Sequence, residues 1–317
     1  MTNLSIITPI YNCFEKIDNL IQCLNQQTDK NFEWIVIDDC SNDCDEFALQ
    51  NKIALNPFIN TKFIKNSTNS GAAFSRNKGI ELSKSKYVVF VDSDDTVTPD
   101  FVESINAGTI SDVDCLFFDY FRIRKNKKQR CKTLKCLANS SSIKKEDVLM
   151  SMTTNVCGKV FKKKVIIENN ISFPDLRRYE DMCFNVLAVL NSNSFNYVDE
   201  CLYNYIDNPT SVVNRFKEDS YKYALESIGI FKNTLLMFNS DIYELFIVRE
   251  VLYTFLKEKA KTLSNKQLKK QSRDIFNTKA SKISLFNYVS THQKIILILH
   301  DMNLHCLIKF INRILGN

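Results

Sequence analysis

From its first residues the chain alternates short, almost wholly apolar runs with longer stretches whose apolar residues recur every three or four positions. The short runs are "LSIITPI" (4–10), "EWIVID" (33–38), "TKFIK" (61–65) and "KYVVFV" (86–91). Their length and β-branched content predict strands, and unbroken apolarity predicts burial on both faces. Between them Phe14, Ile17, Leu20, Ile21 and Leu24 share one helical face, and "DEFALQNKIAL" (45–55) and "AAFSRNKGIELSK" (72–84) read as two more helices. Such alternation predicts a parallel, doubly wound α/β sheet. Farther on, "VDCLFFDYFRI" (113–123) predicts a strand running into the basic stretch "RIRKNKKQRCKTLK" (122–135). A helix at 144–152, a strand at 157–162, a helix at 180–191 and a strand over "FNYVDECLYNYI" (195–206) follow. From about 217 the pattern is helical, with Phe231, Leu235 and Phe238, or Ile247, Val251 and Leu252, as stripes; two domains are expected, 1–215 and 216–317.

Open α/β sheets bind ligands beyond the carboxyl ends of their strands. The polar clusters of this sequence fall at that edge: "TPIYN" after the first strand, "DDCSND" after the second, "NSTNSG" after the third and "DSDD" after the fourth. The last places Asp92, Asp94, Asp95 and Asp100 within nine positions. Like charges this close repel unless a cation joins them. D-x-D after a buried strand suits Mn²⁺ or Mg²⁺ bridged to a diphosphate, because hard cations take carboxylate, phosphate and water oxygens. "DSDDT" also fits the D-x-D-x-T signature of haloacid-dehalogenase-like phosphatases, whose first Asp is a nucleophile. That architecture opens with this strand, whereas here three strand–helix units precede it and no G-D-x-x-x-D follows.

Composition narrows the class. The chain has 317 residues, 44% hydrophobic, 25% charged and 11% aromatic, as expected of a globular protein with a sizeable core. No stretch approaches the roughly 20 apolar residues of a spanning helix, and "MTNLSIITPIYN" lacks the basic and long apolar regions of a secretion signal. Eleven cysteines without a C-x-x-C spacing, several among apolar residues (Cys13, Cys23, Cys183), suit free thiols in a reducing cytoplasm rather than zinc or disulfides.

Taken together, "SIITPIYN", "WIVIDDCSND", "NSGAAFSRNKG", "VDSDD" and "RYEDMCFN" resemble the inverting glycosyltransferases of family 2, over roughly residues 4–215. The resemblance is to bacterial enzymes that build capsule, lipopolysaccharide or wall polysaccharides. It implies a GT-A fold, a mostly parallel doubly wound sheet, with a helical C-terminal extension. It further implies a nucleotide-sugar donor, most simply UDP-linked, and a glycan or lipid-linked acceptor.

By the same resemblance Thr8, Pro9 and Tyr11 line the uracil, and Asp39 accepts from its ring N–H. Asn69, Gly71 and Ala72 form a tight turn that lets backbone approach the donor. Arg76 meets the ribose–phosphate side or braces Asp92. Asp92 lies near the ribose beside Ser93, and Asp94 ligates the metal. Asp181 is the catalytic base and Glu180 binds donor or acceptor sugar; Lys159 in "CGKVF" is a further phosphate ligand. Many relatives carry H-x-x-S after this helix, but here Asn208 stands where that His would. Asp207, Asn208 or water are then the choices for a third ligand, with Ser211 or Arg215 toward phosphate. A binding module that keeps the pocket without turnover is the non-enzymatic alternative.

Charge adds one feature. Residues 255–317 hold 12 Lys/Arg and 3 Asp/Glu, which is +9 of a net +6, leaving −3 for the rest. Ile295, Leu299, Met302, Cys306, Lys309 and Arg313 recur at helical spacing in this tail. It suits an anionic membrane surface, which would keep the enzyme at the inner face of the plasma membrane, or equally a bundle or homodimer seam. The basic run 122–135 suits an anionic acceptor or plain solvation. Nucleic acid is not expected, because the sheet edge that carries the motifs is acidic.

Overall fold

The computed structural model describes residues 2–43, 45–54, 60–125, 127–134, 143–208, 220–260, 262–276, 289–302, 305 and 307–308. The boundary expected near 215, and Ser211 and Arg215, lie outside them. The chain divides into two compact units, Met1–Asp175 with Phe184–Pro209, and Leu176–Cys183 with Thr210–Asn317.

The first unit is built on a nine-stranded sheet. Strands β1 (Leu4–Ile10), β2 (Phe32–Asp38), β3 (Asn60–Lys65) and β4 (Tyr87–Phe90) alternate with helices α1 (Asp18–Asn25), α2 (Glu46–Ala54) and α3 (Gly71–Leu82). They pair in parallel in the order β3-β2-β1-β4. Every residue of β2 is buried, which is why its sequence shows no polar alternation. Trp34 is fully buried there, and its indole N–H donates to Thr8 Oγ1 at 3.0 Å, so this buried donor is met. Helix α3 lies hard against β1: a Cβ on Gly79 would stand 2.3 Å from Ile7 Cγ2.

The expected mostly parallel sheet is observed, and beyond β4 short antiparallel pairings join it. After β5 (Thr96–Val97) and α4 (Phe101–Gly108), β6 (Cys115–Arg124) and β7 (Lys127–Cys131) form a hairpin, and α5 (Lys145–Ser151) leads to β8 (Lys159–Lys162). Strand β8 inserts antiparallel between β4 and β6. Past α6 (Lys163–Glu168) and α7 (Glu180–Leu190), β9 (Phe195–Ile206) returns parallel to β6 and antiparallel to β5. Apolar runs look alike in either direction, so direction here follows from long-range pairing. Below β4, Phe173 stacks on Phe184 at 4.0 Å and Phe90 meets both edge-on.

Part of the basic run is neutralised within the hairpin region. Arg122 Nε pairs with Asp207 at 2.8 Å, and Arg130 reaches the buried Asp119 at 2.7 Å. Among the described residues the cysteines are free thiols.

The second unit is helical: Ser220–Phe238, Ser240–Phe246, a π-helical stretch Ile247–Leu252, Tyr253–Lys259, Asn265–Ile275 and Thr291–Asp301. The last two open with capping boxes, Ser264 with Gln267 and Ser290 with Gln293. Phe231, Leu235, Phe246, Val251 and Phe255 are buried. In Thr291–Asp301, Ile296, Leu297 and His300 are buried while Ile295 and Ile298 are exposed, so this helix has one packed side. No helix among the described residues is long and apolar enough to cross a membrane.

Candidate active site

The carboxyl rim of β3-β2-β1-β4 is laced together before any ligand is considered. After β2, Asp38 Oδ1 accepts from the Ser41 amide at 3.1 Å and its hydroxyl at 2.5 Å. Ser41 Oγ in turn accepts from Asn12 N at 2.9 Å, joining the loop after β1. Tyr11 projects from that loop, 48% exposed, as a stacking face for a base requires.

Asp39 is buried and fastens the start of α3. It accepts from Ser70 N at 2.9 Å, Gly71 N at 2.7 Å and Asn66 Nδ2 at 3.0 Å. Gly71 has φ +88°, a conformation glycine adopts without the penalty of a side chain. Asn69 and Ala72 are exposed beside it. Three donors leave a carboxylate room for one more, so Asp39 keeps capacity for a ring N–H.

The acids after β4 have separate fates. Asp95 is buried; its Oδ2 accepts from Tyr203 OH at 2.5 Å and its Oδ1 from Ile206 N at 2.7 Å. Burial, with repulsion from Asp92 and then Asp94, drives its carboxyl well above the usual range. Asp92 Oδ1 accepts from Arg76 Nη2 at 2.9 Å, and its amide donates to Tyr203 OH. Asp100 sits at the N-cap of α4. Asp94 is half-buried, and Asn208 Nδ2 donates to its Oδ2 at 3.0 Å.

Among the described residues no group of three or more His, Cys, Asp or Glu side chains could hold a metal by itself. What the rim offers is Asp94, with Asn208 orienting one oxygen. That fits a cation held jointly by one carboxylate, a diphosphate and water, the usual manner of Mg²⁺.

Three expectations are corrected. Thr8 is fully buried, its hydroxyl accepting from the Trp34 indole, so it offers no surface to a base. Lys159 is also fully buried, its ammonium donating to Thr153 Oγ1 and to the carbonyls of Asn155 and Cys157; it braces this loop and offers no surface to phosphate. Asp207 is engaged by Arg122 and by Arg124 at 3.7 Å, which leaves Asn208 as the neighbour of Asp94. Arg76 takes the bracing role: it is 5% exposed and packs on the Phe173 ring at 5.4 Å. Pro9 and Ser93 are half-buried at the same rim. Tyr203 went unnoticed in the sequence. Its one signal is the Tyr203–Tyr205 alternation on β9.

Glu180 and Asp181 belong to the second unit. They open α7 and are half-buried; the helix continues into the first unit from Phe184.

A family model described as glycosyl transferase family 2 matches residues 5–155. The poly(ribitol-phosphate) beta-N-acetylglucosaminyltransferase TarP of Staphylococcus aureus is 30% identical over 237 residues, 72% of this chain and 68% of TarP. WfaP of Escherichia coli, a UDP-Glc:alpha-D-GlcNAc-diphosphoundecaprenol beta-1,3-glucosyltransferase, is 30% identical over 73% of this chain and 88% of its own. The S. aureus TarS structure with UDP-GlcNAc superposes with a TM-score of 0.73 at 20% identity, covering 98% of this chain and 91% of that one, and so shares the GT-A fold. These relations leave no place for the phosphatase reading. Kinship over more than two thirds of the chain and of both relatives places this protein in glycosyltransferase family 2, as one of its enzymes.

Proposed function

We propose that this chain moves a sugar from a UDP-linked donor, with inversion, to a hydroxyl of a glycan or lipid-linked acceptor in bacterial surface-polysaccharide synthesis. The observation that carries the reading is the sorting of acids after β4. Asp95 is withdrawn into the fold and Asp92 is paired with Arg76, while Asp94 stays half-buried at the rim with one oriented oxygen. Support for the donor class comes from TarS with UDP-GlcNAc and from the UDP-glucose donor in WfaP's name. Support for the acceptor class comes from the polymer and lipid-diphosphate acceptors named for TarP and WfaP.

In this reading Tyr11 stacks on the uracil, Asp39 accepts from its N–H, and the α3 N-terminus with Asn69, Gly71 and Ala72 faces the donor's phosphates. Arg76 holds Asp92 toward the ribose, with Ser93 alongside. A divalent cation, Mn²⁺ or Mg²⁺, held by Asp94 supplies neutralisation of the leaving diphosphate. Asp181 accepts the proton of the acceptor hydroxyl as its oxygen bonds to the anomeric carbon. The bond from that carbon to the diphosphate breaks, and UDP leaves with the electron pair. Glu180 binds a sugar hydroxyl. The basic tail adds a contact with an anionic membrane face or with a second copy.

A panel of nucleotide sugars, read by release of free nucleotide, tests the donor class: UDP from one UDP-sugar is expected, and release from GDP- or TDP-sugars alone would contradict it. Asp181→Asn is expected to keep UDP affinity while turnover falls about a hundredfold to ten-thousandfold. Unchanged turnover would remove Asp181 from the chemistry, and a wild-type chain that binds UDP without turning over any donor would make it a binding module.

A further inference from the structure

The acidic turn after β4 is pinned by a side chain that stands 108 positions further along the chain. Asp95 N donates to Asp92 O at 3.1 Å, closing a β-turn with Ser93 and Asp94 at its centre. Tyr203 OH accepts from Asp92 N at 3.2 Å and donates to Asp95 Oδ2 at 2.5 Å. One phenol oxygen thus ties the first amide of the turn to its last side chain. The other oxygen of Asp95 accepts from Ile206 N at 2.7 Å. Two residues beyond Ile206, Asn208 Nδ2 donates to Asp94 Oδ2 at 3.0 Å. Antiparallel pairing of β5 with β9 sets this register, with Thr96 opposite Asn204 and Val97 opposite Tyr203. All of these residues belong to the first unit.

Asp95 and Tyr203 are each 1% exposed. Burying a carboxyl and a phenol is costly where an apolar pair of similar shape would pack as well, so their presence calls for a gain other than stability. Neither offers itself to a ligand, since both lack surface and each Asp95 oxygen already accepts a bond. What the pair does is restrict. A fully satisfied buried network holds a single arrangement. The one held here fixes the backbone on either side of Asp94 through the turn, and the Asp94 carboxylate through Asn208. A metal ligand serves only when kept within about 0.5 Å of its productive place by partners that are themselves locked.

We infer that Tyr203 is a positioning residue: through Asp92 N and the Asp95 carboxyl it shapes the turn that presents Asp94 to a cation. With Ile206 and Asn208 it makes the end of β9 the support on which that site is built. The inference rests on Asp94 as the metal ligand.

The test uses the purified full chain. Calorimetry reads UDP affinity without metal and the Mn²⁺ concentration that gives half of the tightening, and urea unfolding reads the fold. Tyr203→Phe deletes the hydroxyl and keeps the ring, while Asp95→Ala deletes the other end of the same bond. Each is expected to raise the Mn²⁺ half-saturation about tenfold to a hundredfold, the usual cost of removing a residue that orients a metal ligand, with metal-free UDP affinity at the wild-type value. Asn204→Ala removes a neighbouring clasp between the same two strands, Asn204 Nδ2 to Thr96 Oγ1 at 3.1 Å. It is expected to lose stability without moving the half-saturation. Wild-type half-saturation in Tyr203→Phe or in Asp95→Ala overturns the inference, as does an equal shift in Asn204→Ala. Loss of the fold in both variants would make the pair structural and overturn it too. Asp94→Asn run alongside separates the two readings. If it abolishes the Mn²⁺ effect while Tyr203→Phe is normal, only the positioning role falls; if Mn²⁺ still tightens UDP in Asp94→Asn, the metal assignment falls as well.

Discussion

The two rims of the central sheet handle buried charge in opposite ways. At the amino rim Glu33 is 5% exposed, and its Oε1 alone takes four donors: Ser5 Oγ at 2.5 Å, Lys84 N at 2.7 Å, and Ser85 N and Oγ both at 3.1 Å. Burial pushes its carboxyl up, and these bonds more than reverse that, leaving it below the ordinary glutamate range. At the carboxyl rim Asp95 is pushed the other way, by burial and by Asp92 and Asp94. One rim is satisfied by its own chain. The other gathers acids whose mutual repulsion the chain only partly relieves, through Arg76, Asn208 and Tyr203. On the proposed function, this incompletely compensated rim is where a cationic ligand would bind.

The contrast can be broken most forcefully at Asp94. Asp94→Asn is expected to lower kcat/KM for the donor about a hundredfold or more with little change in urea-unfolding stability; a loss of stability instead of activity would make Asp94 structural. Glu33→Ala should do the reverse. Four donors lose their acceptor, so stability to urea is expected to fall by about 3 kcal/mol, with kcat of the folded fraction unchanged. The effect of Asp95→Asn is smaller, about 1 kcal/mol near neutral pH, because the amide oxygen still accepts from Ile206 N and its NH₂ donates to Tyr203.

The same pair predicts opposite pH dependences. Glu33, lowered in the fold, contributes stability that is present above its unfolded value and lost as pH falls through its folded one. Asp95, raised in the fold, contributes stability that is present below its unfolded value and lost as pH rises toward its folded one. Urea melts across pH should therefore lose their acid-side slope in Glu33→Ala and a descending component in Asp95→Asn. Identical profiles for both variants would erase the distinction between the rims.

What the sequence made legible follows from range. The apolar runs at 4–10 and 33–38 mark buried strands because burial on both faces is written residue by residue, and "FNYVDECLYNYI" coincides with β9. The antiparallel return of β8 was not legible, because it depends on which strands lie beside it. Among site residues, the placing of Tyr11 and the α3 turn at the rim of β1 and β2 could be read from strand order. Thr8 and Lys159 were misjudged for one reason: residue type shows what a side chain can bind, while its partners, Trp34 for one and the Asn155 and Cys157 carbonyls for the other, come from remote chain or a tight loop. Arg76 stood between two roles until the 2.9 Å contact with Asp92 chose one.

The account turns on Asp94 sharing a divalent cation with a nucleotide diphosphate. Calorimetric titration of UDP into the wild-type chain and into Asp94→Asn, each with and without Mn²⁺, measures this directly. Mn²⁺ is expected to tighten UDP binding about tenfold or more in the wild type and to leave the variant unchanged. Equal affinity in all four titrations, or equal tightening in both proteins, would contradict it.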